Sequence, residues 1–594
     1  MPEIDILGED WENKPVADIS GGLVLNQNSE SMRSNQFLSL DGVMYRNGNM
    51  QKDTGYADFA DVPSGIPGTL RKIFKHISAT GVANTFGISD KSLYILANSE
   101  SNWHLVTTSG GMADTTTTSP VSSLGNNVPV VSTAGISNGD LIGIELDSGS
   151  YHIAEVTSFS GTSLIFSPSG TGQAVASGND VRHGIELLGT ADKHVFALTI
   201  PWNDWLVFTN GIDTPKYYDP STTQVQVIPN LPSSGDTICE GLALFDTSLI
   251  LLRTTEGGTN FNQRIRWSDK ADATNWTTGD SGSVDLLDSA DNIQNGLLLG
   301  PYLVIYRQNS VYRGTAVNTP VKRFQWDRMI TAYGALSSAS VIDIGDKHLV
   351  VGKKQVYLYG GGFDVAPIGD PIKDLLYGPE SELDIAEAHK TFCIYLEARN
   401  DVFVFYQTAA ATTLPNKTLR WHGNLNTWSV REFEQEILGF GEATESNSFT
   451  WNDLIGSWED QTWNWNSSGI TSDLETILFC PADGQIVEYN YLAADDSGVA
   501  QAYKVETPDF SHPNGVLRLD YIELKCSGSS ILVEVSLDEG GTWLAMETIS
   551  PGTTLQKVRA FRQVSSRTIR FRFSGSSSFT LSWFSLRVTL ETEN

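Results

Sequence analysis

The chain is 594 residues long, enough for several domains of ordinary size and a large core without disulfides or a structural metal, which excludes a mini-protein or a stapled peptide fold. Seventy acidic against 39 basic residues give a net charge of −31, so holding nucleic acid or an anionic bilayer through overall charge is disfavoured. Only 18% of residues are charged, while glycines number 54 and aromatics reach 10%, a balance that suits strands and turns better than long charged helices.

In chain order, the opening MPEIDILGEDWENK carries early acids and no basic segment leading into an apolar run. A secretory leader is therefore not expected, and synthesis in a cytosol is. Residues 1–60 read as an extended segment with first strands, and 61–126 as a first blade and a linker. The hairpin FGISDKSLYILANSESNWHLVT is centred on Tyr94, and GGMADTTTTSPVSSLGNN follows it as a low-complexity stretch. Residues 127–183 have their own alternating strands and glycine turns, which predicts a small inserted β domain.

From His194 onward one pattern recurs: a short apolar strand, a tight turn, and a second strand rich in aromatic and β-branched residues, as in HVFALTIPWNDWLVFTN and GLALFDTSLILLRT. Taking the middle of each second strand gives Leu206, Ile250, Val304, Leu349 and Ile394, spaced by 44, 54, 45 and 45 residues, with a later copy at Phe479. That spacing is the size of a four-stranded propeller blade. The pattern predicts an all-β chain: a β-propeller of six or seven blades completed over 184–500, with the inserted domain and a C-terminal module. The longest apolar stretch, Leu297 to Tyr306, is broken by Gly300 and Pro301 and is too short to span a bilayer as a helix, so no stable membrane insertion is expected.

An elaborated loop at 443–476 holds Trp451, Trp458, Trp463 and Trp465 among polar residues. Exposed aromatic area is costly and enriched at interfaces, so these four mark either a local mini-core or a subunit contact. Arg431 to Ala500 carries one basic residue and fourteen acids. Glu432, Glu434, Glu436, Asp495 and Asp496 from this run are, with the tryptophans, the expected channel or interface residues. Residues 501–594 alternate with period two and predict an antiparallel β-sandwich, with Ile531, Val533 and Val535 on one inner face. Its Arg559, Arg562, Arg567, Arg570 and Arg572 form a basic cluster expected at subunit docking, or else a solvated sheet face.

No local motif points to catalysis. The nine histidines include no HExxH, and the four cysteines lie far apart in apolar stretches, reading as reduced core residues. DLLDSADN, with Asp285, Asp288 and Asp291, lacks the ligand alternation of a calcium loop and reads as a solvated connection. SLDEGGTW around Asp538 is similar to the Asp-containing structural turns of sialidases. No enzyme activity, cofactor or metal is expected.

The segment DISGGLVLNQNSESMRSNQFLSLDGVMYRNGNMQKDTGY resembles the start of the tail nozzle and tubular tail proteins of short-tailed bacteriophages, a head-to-tail assembly family of β-propellers. Gly21, Gly22, Asn35, Asp41, Gly42, Arg46 and Gly48 carry the match. A second match runs from Arg264 to Gly314 around Trp267, Asp269, Trp276 and Tyr306, and a third covers ILGFGEA and FCPADGQIVEYN. The resemblance implies a virion tail protein made in the host cytoplasm, a homohexamer docked below the portal on an adaptor or head–tail connector protein. Double-stranded DNA would be retained by it and then pass through it non-specifically, and tail fibre or spike proteins would be further partners. The alternatives are a tail-associated glycan-binding or receptor-binding protein and, behind it, a propeller glycosidase.

Overall fold

The computed structural model describes residues 11–591 except 61–68, 97–102, 109–114, 149–150, 171, 318, 320–321, 379–380, 411–413, 445–474, 483–485, 490–492 and 513–514. The architecture is all-β and multi-sheet, and the one α-helix among the described residues is the five-residue Lys373–Tyr377. No described helix is long and apolar enough to cross a membrane.

Seven antiparallel four-strand units make up the body, counted over the described residues, three of them separate sheets and four of them parts of larger sheets. Unit 1 is Leu70–Ile77, Ala83–Ser89, Leu93–Leu96 and His104–Leu105. Unit 2 is Phe196–Ile200, Trp205–Thr209, Lys216–Asp219 and Gln224–Val227. Unit 3 spans Thr237–Phe245 to Gly282–Asp285, unit 4 Ile293–Leu299 to Phe324–Thr331, and unit 5 Val341–Asp343 to Ala366–Pro367. Unit 6 is Phe392–Leu396, Asp401–Tyr406, Lys417–His422 and Thr427–Arg431. Unit 7 takes three strands from Ile437–Thr444, Glu475–Pro481 and Ile486–Tyr489, and its fourth, Tyr56–Ala60, from the other end of the chain.

Each unit has apolar residues on both faces, because each packs between two neighbours. Phe86 and Ile88 of unit 1 meet Leu206 and Phe208 of unit 2 in one core, and successive cores join units 2 to 3, 3 to 4 and 4 to 5 in the same way. Phe403 and Phe405 of unit 6 pack with Phe479 and Tyr489 of unit 7. Units 7 and 1 share Leu478, Cys480, Leu70 and Tyr94, and their first strands run parallel with Phe440 opposite Lys72.

Two sequence expectations shift in detail. Ile394 lies in the first strand of unit 6, not the second, because the hairpin turns at Glu397–Asn400, where Asn400 takes the left-handed conformation. Tyr94 lies in the third strand of unit 1. The inserted sheet comprises Thr115–Thr116, Asn127–Pro129, Leu141–Glu145, Tyr151–Ser160, Ser163–Ser167 and Asp180–His183 around its own core of Leu124, Val128, Ile142, Ile144 and Phe166. It begins before 127, since the Thr-rich stretch is paired: Thr115 faces Val181, and Val121 bridges Val175.

The C-terminal module has two sheets whose inner faces share one core. Val516–Gly528 is flanked by Gly552–Ser566 and Phe579–Glu591 in one sheet, and Ile531–Ser536 and Thr568–Gly575 lie in the other. Ile531, Val533, Val535, Ile569, Phe571 and Phe573 are all buried. The N-terminal residues complete this module. Glu12–Val16 and Asn49–Lys52 both pair with Phe579–Glu591, and Ser39–Asp41 lies between Tyr503–Glu506 and the last strand of unit 6.

Candidate functional site

The N-terminal arm, unit 6, unit 7 and the linker into the C-terminal module meet at a buried cluster of charges. Arg420 Nη1 donates to Asp53 Oδ1 at 2.7 Å and its Nε to Asp401 Oδ2 at 2.9 Å. Arg431 Nη2 donates to both Asp496 oxygens, at 2.9 and 3.1 Å, and Tyr489 Oη donates to Asp53 Oδ1 at 3.0 Å. The five charged side chains are each at most 7% exposed. Burial works to raise the Asp53 carboxyl, yet Arg420 and Arg431 outweigh it and hold it at about 2. Burial pushes Asp496 up against the pull of Arg431, and it pushes His422, stacked edge-on against Tyr45, below the ordinary imidazole value. A buried ion cluster fixes geometry more than it adds stability, and removing one member strands the others.

The arm segment from Asp18 to Gly48 runs past this joint. Asp18 Oδ2 accepts from Asn35 Nδ2 at 2.7 Å, and Leu23 N donates to Trp428 O at 2.9 Å, which lays the arm along the last strand of unit 6. Gly22, with φ +71°, passes so close to Thr427 that a Cβ would stand 2.4 Å from its Cβ. Gly42, with φ +62°, donates to Val430 O, and a Cβ there would lie 2.3 Å from Ala502 O. Asp41 pairs with Lys504 at 3.1 Å, while Arg46 and Gly48 fall at the turn of the Val43–Arg46 and Asn49–Lys52 hairpin. Arg46 borders a cavity of about 440 Å³ with Tyr45, Arg399 and His422.

A second cavity, of about 300 Å³, lies where the first strands of units 1, 2, 4, 5, 6 and 7 converge. Its walls include Phe392 and Phe440, stacked 5.9 Å apart, with Lys72 Nζ 4.0 Å above the Phe440 ring. Burial, reinforced by the nearby Arg71, holds His194 down at about 3, so it is neutral, and its Nε2 lies 3.0 Å from His389 O. Asp343 is the one carboxylate among the described residues lining this space.

The expected site residues divide among several places. Trp451, Trp458, Trp463 and Trp465 lie outside the described residues, as does most of the 443–476 excursion. Glu432 is exposed and lies 3.4 Å from Lys417, and the backbone N of Glu434 donates to Asp496. Burial raises the Glu436 carboxyl, and Asp495 Oδ1 accepts from Gly498 N. Asp496 is thus a buried partner of Arg431 and not a surface acid. Arg570 forms a two-bond pair with the buried Asp509, at 2.9 and 2.6 Å, and Arg572 bonds Glu506 at 2.9 Å and lies 3.7 Å over Trp543. Arg559 stands exposed on the other sheet, bonded to Glu523 at 2.8 Å, and the half-buried Arg562 of the same strand donates to Ala545 O. Arg567 also has an interaction partner.

The acids of DLLDSADN are taken by arginines: Asp285 by Arg264, Asp288 by Arg307 and Arg328, and Asp291 by Arg307. Asp538 closes its turn by accepting from Thr542 N and Ser536 Oγ. Asp53 and Arg420 were missed in the sequence. The available signal was an arginine and a histidine alternating inside KTLRWH, where a charged residue between core positions requires a buried partner.

No family model matches the sequence, and no curated protein matches it. Among solved structures the chain is similar to PorZ, a bacterial surface component of the type-IX secretion system of Porphyromonas gingivalis, at 10% identity over 83% of this chain and 46% of that one, TM-score 0.33. It is similar to the Cps50 (Swd1) β-propeller domain of Myceliophteria thermophila at 9% identity, 72% and 99% coverage and TM-score 0.27. An exo-β-1,3-galactanase from Phanerochaete chrysosporium aligns at 10% identity, 90% and 100% coverage and TM-score 0.22. The chain thus spans less than half the length of the PorZ chain, and at these scores none of the three assigns it an activity.

Proposed function

We propose that this chain is a structural virion-tail protein, in which the seven units close as a seven-bladed β-propeller and the two C-terminal sheets form a β-sandwich. Ring closure is supported by the cores that link each unit to the next, Val351 and Val404 joining units 5 and 6, and unit 7 back to unit 1, and by Tyr56–Ala60 completing unit 7. The observation that carries the functional reading is the N-terminal arm. Among the residues through which it resembles tail nozzle proteins, Gly22, Asp41 and Gly42 hold it between unit 6 and the C-terminal module, and Asn35 ties the arm to itself.

A duplex cannot thread one chain in this reading. The axial space is about 300 Å³ and walled by phenylalanines, the volume of a small-ligand pocket, whereas the major groove of DNA alone is about 12 Å wide. Any conduit is therefore built between copies, with the exposed Arg559 facing neighbouring acidic surfaces, and an adaptor ring and tail fibres as further partners. A low density of unpaired cations facing the conduit keeps passing DNA from binding tightly.

One observation favours a second reading, a glycan-binding or receptor-binding tail protein. The outer face of the C-terminal sheet sets Lys557 5.1 Å over Trp583 and Arg559 4.7 Å over Tyr521, beside the exposed Phe561. A glycosidase fits less well, since that chemistry needs two facing carboxylates and the axial cavity offers Asp343 alone among its described lining.

Electron cryomicroscopy of the purified chain, alone and in source particles, separates the readings. The expected result is a closed ring of copies with a passage between them. A monomer retained on immobilised glycans, and released by Tyr521→Ala or Trp583→Ala, would overturn the tail-conduit reading in favour of the second.

A further inference from the structure

The inserted sheet joins unit 1 through a short stalk. Asp180–His183 ends, Gly184 N donates to Leu141 O at 2.9 Å, Ile185 N donates to Val106 O at 3.0 Å, and Leu187 N donates to Lys91 O at 2.8 Å. Three potential metal ligands converge at this stalk. Asp140 ends the turn before Leu141–Glu145, His183 ends its strand opposite Ile142, and Glu186 lies just past the crossing. One ligand atom from each lies within 4.8 Å of the other two.

The geometry is that of donors around one centre. His183 Nε2 is closed off from solvent and makes no hydrogen bond, although Asp140 Oδ2 is 3.2 Å away. Two donors each about 2.1 Å from one ion at the tetrahedral angle stand roughly 3.4 Å apart, close to that separation. Ser137 N donates to Asp140 Oδ2 at 2.6 Å and orients it, as outer groups orient metal ligands. Among the described residues no lysine or arginine is ion-paired with Asp140 or Glu186. The similar trio Asp192, Glu387 and His389 differs on this point, because Lys390 lies 3.3 Å from Asp192 and 2.8 Å from Glu387 and supplies the positive charge.

We propose that Asp140, His183 and Glu186 bind one divalent transition-metal ion at the root of the inserted sheet. One imidazole nitrogen with two carboxylates suits zinc, cobalt or manganese better than calcium, which takes six to eight oxygens. Bound there, the ion ties the inserted sheet to unit 1 across the stalk and fixes its angle to the body. This holds whether or not the chain is a virion part.

The test is titration of the chelator-stripped full chain with zinc chloride and manganese chloride, by calorimetry and thermal unfolding. One equivalent with a Kd of about 10 µM or tighter is expected, together with slower amide exchange over Leu141–Glu145 and Asp180–Glu186. Glu186→Gln keeps the shape of an exposed side chain and is expected to weaken binding at least about 30-fold, as is His183→Ala, while His152→Ala leaves it unchanged. Absence of binding below about 1 mM, or binding that survives both Glu186→Gln and His183→Ala, overturns the site.

Discussion

The joint around Asp53 and the inserted sheet solve the same problem, attaching one part of the chain to another, by opposite means. At the joint, segments distant in sequence are held by buried charges: Asp53 and Arg420, 367 residues apart, then Arg431 and Asp496, 65 apart. The inserted sheet carries its own apolar core and touches the body through a few apolar residues, with Ile153 packed against Leu105 and Trp103. Charges demand particular partners and so fix one arrangement, whereas an apolar contact tolerates small rotations. The comparison predicts a body that fails as a unit when the joint is broken and an insertion that can be removed.

The largest expected effect breaks the joint. Arg420→Met removes the shared donor of Asp53 and Asp401 and leaves two carboxylates buried without it. A loss of about 3–5 kcal/mol is expected in urea unfolding followed by tryptophan fluorescence. A loss under about 1 kcal/mol would mean that water reaches the cluster and that the contrast between the two regions is not real.

Removing residues 115–183 is expected to cost less. Thr115 faces Val181, so the insertion begins and ends on paired strands and a short Gly-Ser bridge can replace it. The body then exposes Leu105 and part of Trp103, worth about 1.5–3 kcal/mol. Circular dichroism and thermal unfolding of the shortened chain should show a folded β body. Collapse to an unfolded chain would place the insertion in the folding core of the body.

How much of this was legible in the sequence follows from how local each feature is. Hairpins such as Phe196–Ile200 with Trp205–Thr209 are written in neighbouring residues, and their near-regular spacing gave the repeated units and the all-β class. The long edge strand Gly552–Ser566 is hard to read because its first six residues are all exposed and its alternation begins only at Val558. The pairing of Met50 with Leu581, and of Asp53 with Arg420, joins positions hundreds of residues apart, and no local period announces such a contact. Arg570 and Arg572 looked like a docking patch because five arginines cluster in sequence, but strand alternation and the sheet order send them to Asp509 and Glu506 inside the module.

The smallest expected effect is the pH dependence of the joint, and its sign follows from Asp53. Its carboxyl is held at about 2 in the folded chain against 3.8 in the reference state, so the ionised form is favoured by folding. That stability is complete above about pH 4 and is lost as the pH falls toward 2, amounting to about 2 kcal/mol. Asp401, also lowered, adds in the same direction, whereas Asp496, raised by burial, opposes both because its protonation favours the folded state. Between about pH 5 and pH 2.5 the Asp53 carboxyl is therefore expected to cost up to about 2 kcal/mol, with Asp401 enlarging that loss and Asp496 reducing it. Urea midpoints measured across that window should fall in the parent chain and flatten in Asp53→Asn, which removes the titrating group while keeping an acceptor for Arg420 and Tyr489. An unchanged slope in Asp53→Asn would assign the acid sensitivity to surface carboxylates and leave the joint held by its arginines independently of the Asp53 charge.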